Sequence, residues 1–372
     1  MSPAFPPARP EVETLQAYSA PLEGRRGLLR LDFNENTVGP SPRVVDALRR
    51  IPADHIAIYP EYDGLREAVV ANLQVADSHG DVEGLRTLKS EQIGLFNGVD
   101  AAIHAVFHAY GGCGERLLTT SPTFGYYAPC ARMQGMEIEA IPYLLPDFRF
   151  PLDALREALL GPDPPPRLLL LCNPNNPTGT RLAPEVILEM ALDAPQTLVV
   201  VDELYEAFTG DSVLPRVDFN ATPNLVVLRS LAKTAGLAGL RMGFAIGAAA
   251  VVDRIARVTG PYDVNSFAVT AALAALDDQA YVDGYVQEVT RARRWLIDQL
   301  LQAQVRHHAA GGNYLLIWPK RPPQEVVETL RRVGILVRSM AGKPLIHGAL
   351  RVSVGTTEQM QRFWTAYQQA DG

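Results

Sequence analysis

RLLLLCNPNNPTG, residues 167–179, decides how this chain folds. Four leucines in succession, with no polar alternation, make a strand buried on both faces rather than one. The strand stops at a turn of three asparagines, two prolines and a glycine, which fixes the backbone where the strand ends. The design recurs twice downstream, in TLVVVDELY (197–205) and LVVLRSLAK (225–233). Outward from these lie further short apolar runs: QIGLF (92–96), RLLTTSP (116–122), EIEAIPY (137–143) and MGFAIG (242–247). Helical or turn-rich stretches separate them. Buried strands alternating with helices imply an α/β fold with a mostly parallel sheet.

The flanks read differently. The residues up to about Pro21 are proline-rich and aperiodic, an arm. Short helical patterns follow at 42–50 and 64–75. A long helical region spans 266–304. Strand-like pieces then return, NYLLIWP (313–319), ILVRSM (335–340) and LRVSVG (350–355), with a helix over 324–333. That is an α+β pattern and a second, smaller domain. A chain of 372 residues suits about two domains. The expected division is an arm over 1–40 that joins the small domain, a large domain over 41–262, and a small C-terminal domain over 263–372.

Composition narrows the function. Hydrophobic residues make up 47% and charged residues 20%, so a large core forms without staples. A net charge of −7 argues against a nucleic-acid footprint. The three cysteines, Cys113, Cys130 and Cys172, are widely spaced with no C-x-x-C, so neither a metal site nor a disulfide framework is expected. No signal peptide or membrane-length apolar run is read, and a cytoplasmic location is the expectation.

Five short motifs, most of them at strand ends, carry the chemistry, and strand ends are where open α/β sheets bind ligands. Lys233 lies among small apolar residues (LAKTAGLAG) in a chain with four lysines, Lys89, Lys233, Lys320 and Lys343, against thirty arginines. Desolvation lowers an amine's pKa, and a neutral amine forms a Schiff base with an aldehyde. S-x-x-K also occurs in serine acyl-enzymes, but their S-D-N and K-T-G partners are absent. Asp202 closes a strand with no Walker A sequence elsewhere, which disfavours a nucleotide triphosphatase. A carboxylate there suits the protonated ring nitrogen of pyridoxal phosphate, the electron sink of that cofactor. Tyr205 and an asparagine of the 173–179 turn could reach the ring's phenolate oxygen. The glycine of NGVDA (97–101) opens a helix whose N-terminus can bind phosphate, and Arg241 could pair with it. Each motif alone has a plainer reading: a loop-edge lysine, a helix cap, a tight loop, an ordinary helix start, a surface arginine.

Together the five resemble the class I and II aminotransferases, the fold-type I pyridoxal-phosphate enzymes with an aspartate aminotransferase-like fold. Within them the chain is most similar to the histidinol-phosphate aminotransferases of histidine biosynthesis. LDFNEN (31–36), IYPEYDGLR (58–66), PTFGYY (122–127), the 173–179 turn, LAKTAGLAGLRMGF (231–244), ILVR (335–338) and LRVSVG (350–355) carry that likeness. It implies a ping-pong exchange of an amino group between histidinol phosphate and 2-oxoglutarate. Lys233 carries the cofactor as an imine and shuttles the proton. Asp202 pairs with the ring nitrogen, Asn176 and Tyr205 with the phenolate oxygen, and Phe124 lies on the ring face. Ser230, Arg241 and the backbone at Val99 and Asp100 hold the phosphate. Tyr59 reaches it from the other subunit, which implies a homodimer with shared sites. Arg351, with Asn176, grips the substrate carboxylate; Tyr18 and Arg338 take the substrate's distal end.

Departures from the family's pattern include Thr37 after Glu35-Asn36, Ile58 before Tyr59, Phe124 for tyrosine and Ala232 before the lysine. These bear on substrate rather than on the core chemistry. An aromatic amino-acid (phenylalanine or tyrosine) aminotransferase shares the same catalytic set and is the alternative; a pyridoxal-phosphate decarboxylase or lyase is a further one. The intact Lys233–Asp202–Arg241 set argues against a cofactor-free binding protein.

Overall fold

The computed structural model describes residues 6–16, 23–76, 83–161 and 163–372. In chain order the strands are β1 (Leu29–Leu31), β2 (Ile93–Asn97), β3 (Arg116–Ser121), β4 (Glu137–Pro142), β5 (Leu168–Cys172), β6 (Leu198–Asp202), β7 (Leu225–Ser230), β8 (Met242–Gly247), β9 (Arg306–His308), β10 (Tyr314–Trp318), β11 (Ile335–Ser339) and β12 (Leu350–Ser353). They form two sheets. The large one has the order β2-β8-β7-β6-β5-β3-β4, and β8 is its antiparallel member. The small one has the order β1-β11-β12-β10-β9, with β1 parallel to β11 and the other pairs antiparallel.

Every residue of β5 and β6 is buried, as unbroken apolar runs require. Leu169, Leu171, Val199 and Val201 point into one core; Leu168, Leu170 and Val200 point into another on the opposite face. This is the alternation of a sheet covered on both sides. Its register places the chemistry. Cys172 pairs with Asp202, and Asp202 with Leu228, so β5, β6 and β7 end together at the large sheet's carboxyl edge.

Helix Ser266–Leu276 departs from the expected boundary at 262. It packs on helices Pro42–Arg49 and Leu65–Ala76. Its Ala268, Val269 and Ala272 share the core of Leu171 and Val201. The next helix, Gln279–Gln302, buries Tyr285, Val289, Leu296 and Leu300 in the small-sheet core. We therefore place the division between the two cores within that second helix. Small alanine side chains let the first helix approach the large sheet's outer layer closely.

Two backbone stretches cross at the edge of the large sheet. Gly243 of β8 pairs with both Phe96 and Ser230. A Cβ there would come within 2.5 Å of Gly98 C and Val99 N. Gly243→Ala should therefore force the crossing apart and lower stability by about 1–3 kcal/mol, the usual cost of overpacking. Urea denaturation followed by intrinsic fluorescence checks this; an unchanged midpoint would contradict the close approach.

Candidate active site

The floor of the site is the carboxyl end of β6. Asp202 is buried, 2% exposed. Its Oδ2 accepts a hydrogen bond from the Tyr127 hydroxyl at 2.6 Å, and its Oδ1 accepts one from the Leu204 N–H at 3.2 Å. Burial pushes the Asp202 carboxyl up to about 6, while those two hydrogen bonds pull it the other way. Tyr127 sits edge-on to Phe124, with ring centroids 5.5 Å apart. The residue expected on the cofactor face and the residue expected beneath its nitrogen are thus tied through one tyrosine.

A chain of hydrogen bonds runs from Tyr205, three residues after Asp202, to the small sheet. The Tyr205 hydroxyl accepts from the side-chain amides of Asn176 and Asn34, each at 3.1 Å. Asn176 Oδ1 in turn accepts from Arg351 Nη1 at 2.6 Å, and Arg351 Nη2 donates to the Asp32 carbonyl at 2.6 Å. Lys233 is half-buried. Its Nζ donates to the Phe33 carbonyl at 3.0 Å and lies 5.9 Å from the centroid of the Tyr205 ring. Burial, and then the nearby Arg351 charge, lower the Lys233 amine to about 8; Glu35 and Asp100 oppose that shift.

A third group gathers where Gly243 crosses the helix start. Gly98 has φ 81° and precedes helix Val99–Tyr110. The N–H groups of Val99 and Asp100 precede the first bonds back to the Gly98 carbonyl, made by Ala101 and Ala102 at 3.2 and 3.3 Å, so this end favours an anion. A side chain at Gly98 would collide with the Arg241 guanidinium, which lies directly over it. Arg241 itself holds a left-handed conformation, φ 59°. Its Nη2 pairs with Asp100 Oδ2 at 2.9 Å, with side chains 40% and 51% exposed. Ser230 Oγ donates to the Met242 carbonyl at 3.1 Å and accepts from Ala232 N–H at 3.0 Å.

The structure therefore gathers Lys233, Asp202, Tyr205, Asn176 and Arg351, and places Ser230, Arg241, Val99 and Asp100 at the adjoining start of helix Val99–Tyr110. Arg338 lies directly opposite Arg351 in the β11–β12 pair, with its guanidinium 5.5 Å from the Phe33 ring centroid. Tyr59 is on the surface, 71% exposed, and stacks on Tyr262 at 4.1 Å. Tyr18 lies outside the described residues. Sequence reading missed Tyr127, Phe33 and Asn34. All three fall inside quoted stretches (PTFGYY and LDFNEN), but nothing local marks them, because their partners are 75, 200 and 171 residues away.

Comparison with known proteins bears on this constellation. The family model for aminotransferase class I and II matches residues 26–366. The histidinol-phosphate aminotransferase of Desulfitobacterium hafniense is 32% identical over 370 residues, covering 95% of this chain and 94% of that protein. That of Symbiobacterium thermophilum is 34% identical over 353 residues, covering 94% and 92%. In fold, the chain resembles the histidinol-phosphate aminotransferase of Sinorhizobium meliloti solved in complex with pyridoxal-5'-phosphate. The TM-score is 0.84 at 22% identity, covering 99% of this chain and 98% of that one.

The Tyr127–Asp202 contact yields a pH prediction. The folded-state pKa of Asp202, about 6, lies above its ordinary 3.8, so the folded protein holds that proton more tightly than the unfolded chain. The resulting stability is fully present at low pH and is lost as pH rises through about 6. Tyr127→Phe removes a hydrogen bond to the charged form, so the titration should move to higher pH. Infrared difference spectra of the cofactor-free protein, with Asp202→Asn to identify the band, would show it; an unmoved band would exclude the proposed control by Tyr127.

Proposed function

Because the chain belongs to the class I and II aminotransferases, enzymes that work with pyridoxal phosphate, we propose that it transfers the amino group of histidinol phosphate to 2-oxoglutarate. The residues present fit the cofactor. Lys233 offers an amine of lowered basicity, Asp202 a buried carboxylate, and the Gly98–Arg241 crossing a cradle that a Cβ would fill. When bound, pyridoxal phosphate supplies an electron sink that draws charge from the amine-bearing carbon.

The chain's own groups do the rest. Lys233, deprotonated above about pH 8, would hold the cofactor through its amine and would take and return the proton at the substrate's amine-bearing carbon. Asp202 would face the ring nitrogen and stabilise its protonated form. Tyr205, fixed by two amide donors, and Asn176 would hold the phenolate oxygen. Phe124 would lie against the ring. Ser230, Arg241 and the Val99–Asp100 backbone would hold the phosphate.

The observation that carries the substrate is the cross-strand pair Arg338–Arg351. Residues directly opposite on antiparallel strands share a face, and like charges there repel. An anion between or beside the two guanidiniums relieves that repulsion. Histidinol phosphate has no carboxylate. Its phosphorus lies three bonds from the amine-bearing carbon, whereas the carboxylate carbon of glutamate lies one bond away. Two arginines on directly opposite positions would serve both anions while the reacting carbon stays at Lys233. The exposed Tyr59–Tyr262 stack, with Ile56 and Ile58 exposed beside Tyr59 in the chain, supports a homodimer in which Tyr59 reaches the partner's cofactor phosphate.

Lys233→Ala should reduce turnover at least about 10³-fold, the scale of a lost acid–base group. Arg338→Ala should raise KM for histidinol phosphate about 10-fold or more, the scale of a charged hydrogen bond, with a smaller effect on glutamate. Steady-state kinetics on both donors measures these. In the loaded wild type, absorbance should report conversion by histidinol phosphate in a single half-reaction. No conversion, alongside conversion by phenylalanine, would overturn the substrate assignment. The rate of cofactor uptake by the cofactor-free protein should climb with pH and level off above about 8.

A further inference from the structure

We propose that Arg25 is a positioning residue: its guanidinium holds residues 32–34 in the bend from which they bind Arg351, Lys233 and Tyr205 together. The proposal rests on the roles given above to those three residues. Each of the three consecutive residues addresses a different one. The Asp32 carbonyl accepts from Arg351 Nη2 at 2.6 Å, the Phe33 carbonyl accepts from Lys233 Nζ at 3.0 Å, and Asn34 Nδ2 donates to the Tyr205 hydroxyl at 3.1 Å.

An extended strand cannot make these contacts at one site, because its successive carbonyls point to opposite sides. The chain instead leaves β1 after Leu31 and turns at Asn34, whose φ is 55°. That conformation is uncommon for a residue with a side chain and needs support from its surroundings. Part of the support comes from the small sheet. Ser353 Oγ accepts from Asn34 N–H at 2.8 Å and donates to Asn34 Oδ1 at 2.9 Å.

Arg25 supplies the rest from outside the sheet. Its Nε and Nη2 donate to Asp32 at 3.1 and 2.7 Å, and its Nη1 and Nη2 donate to Glu35 at 3.1 and 2.8 Å. Those two carboxylates bracket Phe33 and Asn34. The guanidinium also lies 4.2 Å from the centroid of the Phe33 ring, within cation–π range. The side chains of Arg25 and Asp32 are only 11% and 7% exposed, so solvent screens the contact little. One planar fork thus closes both ends of the bend and covers its middle. A lysine is a point charge and cannot serve two carboxylates in this way. Arg30 Nε reaches Glu35 at 3.2 Å, one carboxylate of the two, so it does not replace the clamp.

The test compares Arg25→Lys, Arg25→Met and Glu35→Gln with the wild type, first in the cofactor-free full-length protein. Hydrogen exchange of peptides covering residues 29–36 should speed up about tenfold or more in both Arg25 variants, the scale of losing a charged hydrogen bond, and less in Glu35→Gln. Peptides of helix Val99–Tyr110 should not change. With ¹³Cε-labelled lysine, the Lys233 signal should move while those of Lys89, Lys320 and Lys343 stay. In the loaded enzyme, kcat/KM should fall about tenfold or more for donor and acceptor alike, with no rescue by lysine. Wild-type exchange and an unmoved Lys233 signal in Arg25→Lys would overturn the proposal. So would loss of protection spread equally over the Val99–Tyr110 helix in all three variants, since that is a folding role. Histidinol phosphate failing as a substrate while residues 29–36 loosen as described would remove the substrate assignment and leave the positioning role standing.

Discussion

One guanidinium joins the two halves of this molecule. Arg351 lies on β12 of the small sheet, yet its Nη1 donates to Asn176, in the turn after β5 of the large sheet. Its Nη2 donates to Asp32, on the segment that follows β1. The site exists only where these three pieces of chain meet. Tyr205 is fixed from both sides by the same arrangement, through Asn176 of one sheet and Asn34 beside the other. A buried charge held by charge-assisted bonds at 2.6 Å tolerates little displacement. The relative placement of the two sheets is therefore fixed by the same bonds that assemble the site.

Burial sets the protonation states at the centre. It lowers the lysine amine and raises the aspartate carboxyl, so both are driven toward neutrality in the cofactor-free protein. Below the site, Arg229 of β7 pairs with Glu203 and Glu206 and donates to Ser212 at 2.7 Å. This buried network anchors the strand that delivers Ser230 and the lysine loop. Removing one member would strand the others in a low-dielectric interior.

Much of this was legible in the sequence, and the boundary of legibility has a physical form. Lys233, Asp202, Asn176, Ser230 and Arg241 each sit at or just beyond a strand end, where a short apolar run and a turn mark the place. Parallel register brings Asn176, Asp202 and Ser230 together, and the antiparallel β8 brings Arg241, just before its start, to the same edge. Tyr127, Phe33 and Asn34 act through single contacts across long stretches of chain, and no local pattern encodes such a contact. Helix Ser266–Leu276 is apolar nearly all round, so its burial was evident while the sheet it would join was not. The surface position of Tyr59 likewise has no internal partner that a pattern could reveal beyond Tyr262.

The Arg241–Asp100 pair at the helix start gives the cradle an unusual property. Its cation is already matched by a carboxylate from the same helix, and both are substantially exposed, so the bond is weak and easily opened. Under the proposed role, loading a phosphate there is an ion exchange, in which the incoming dianion takes over a guanidinium that a resident anion releases. The cradle thus carries little bare positive charge between occupants. Selection among anions falls to the ones that can also use the backbone donors of the helix end.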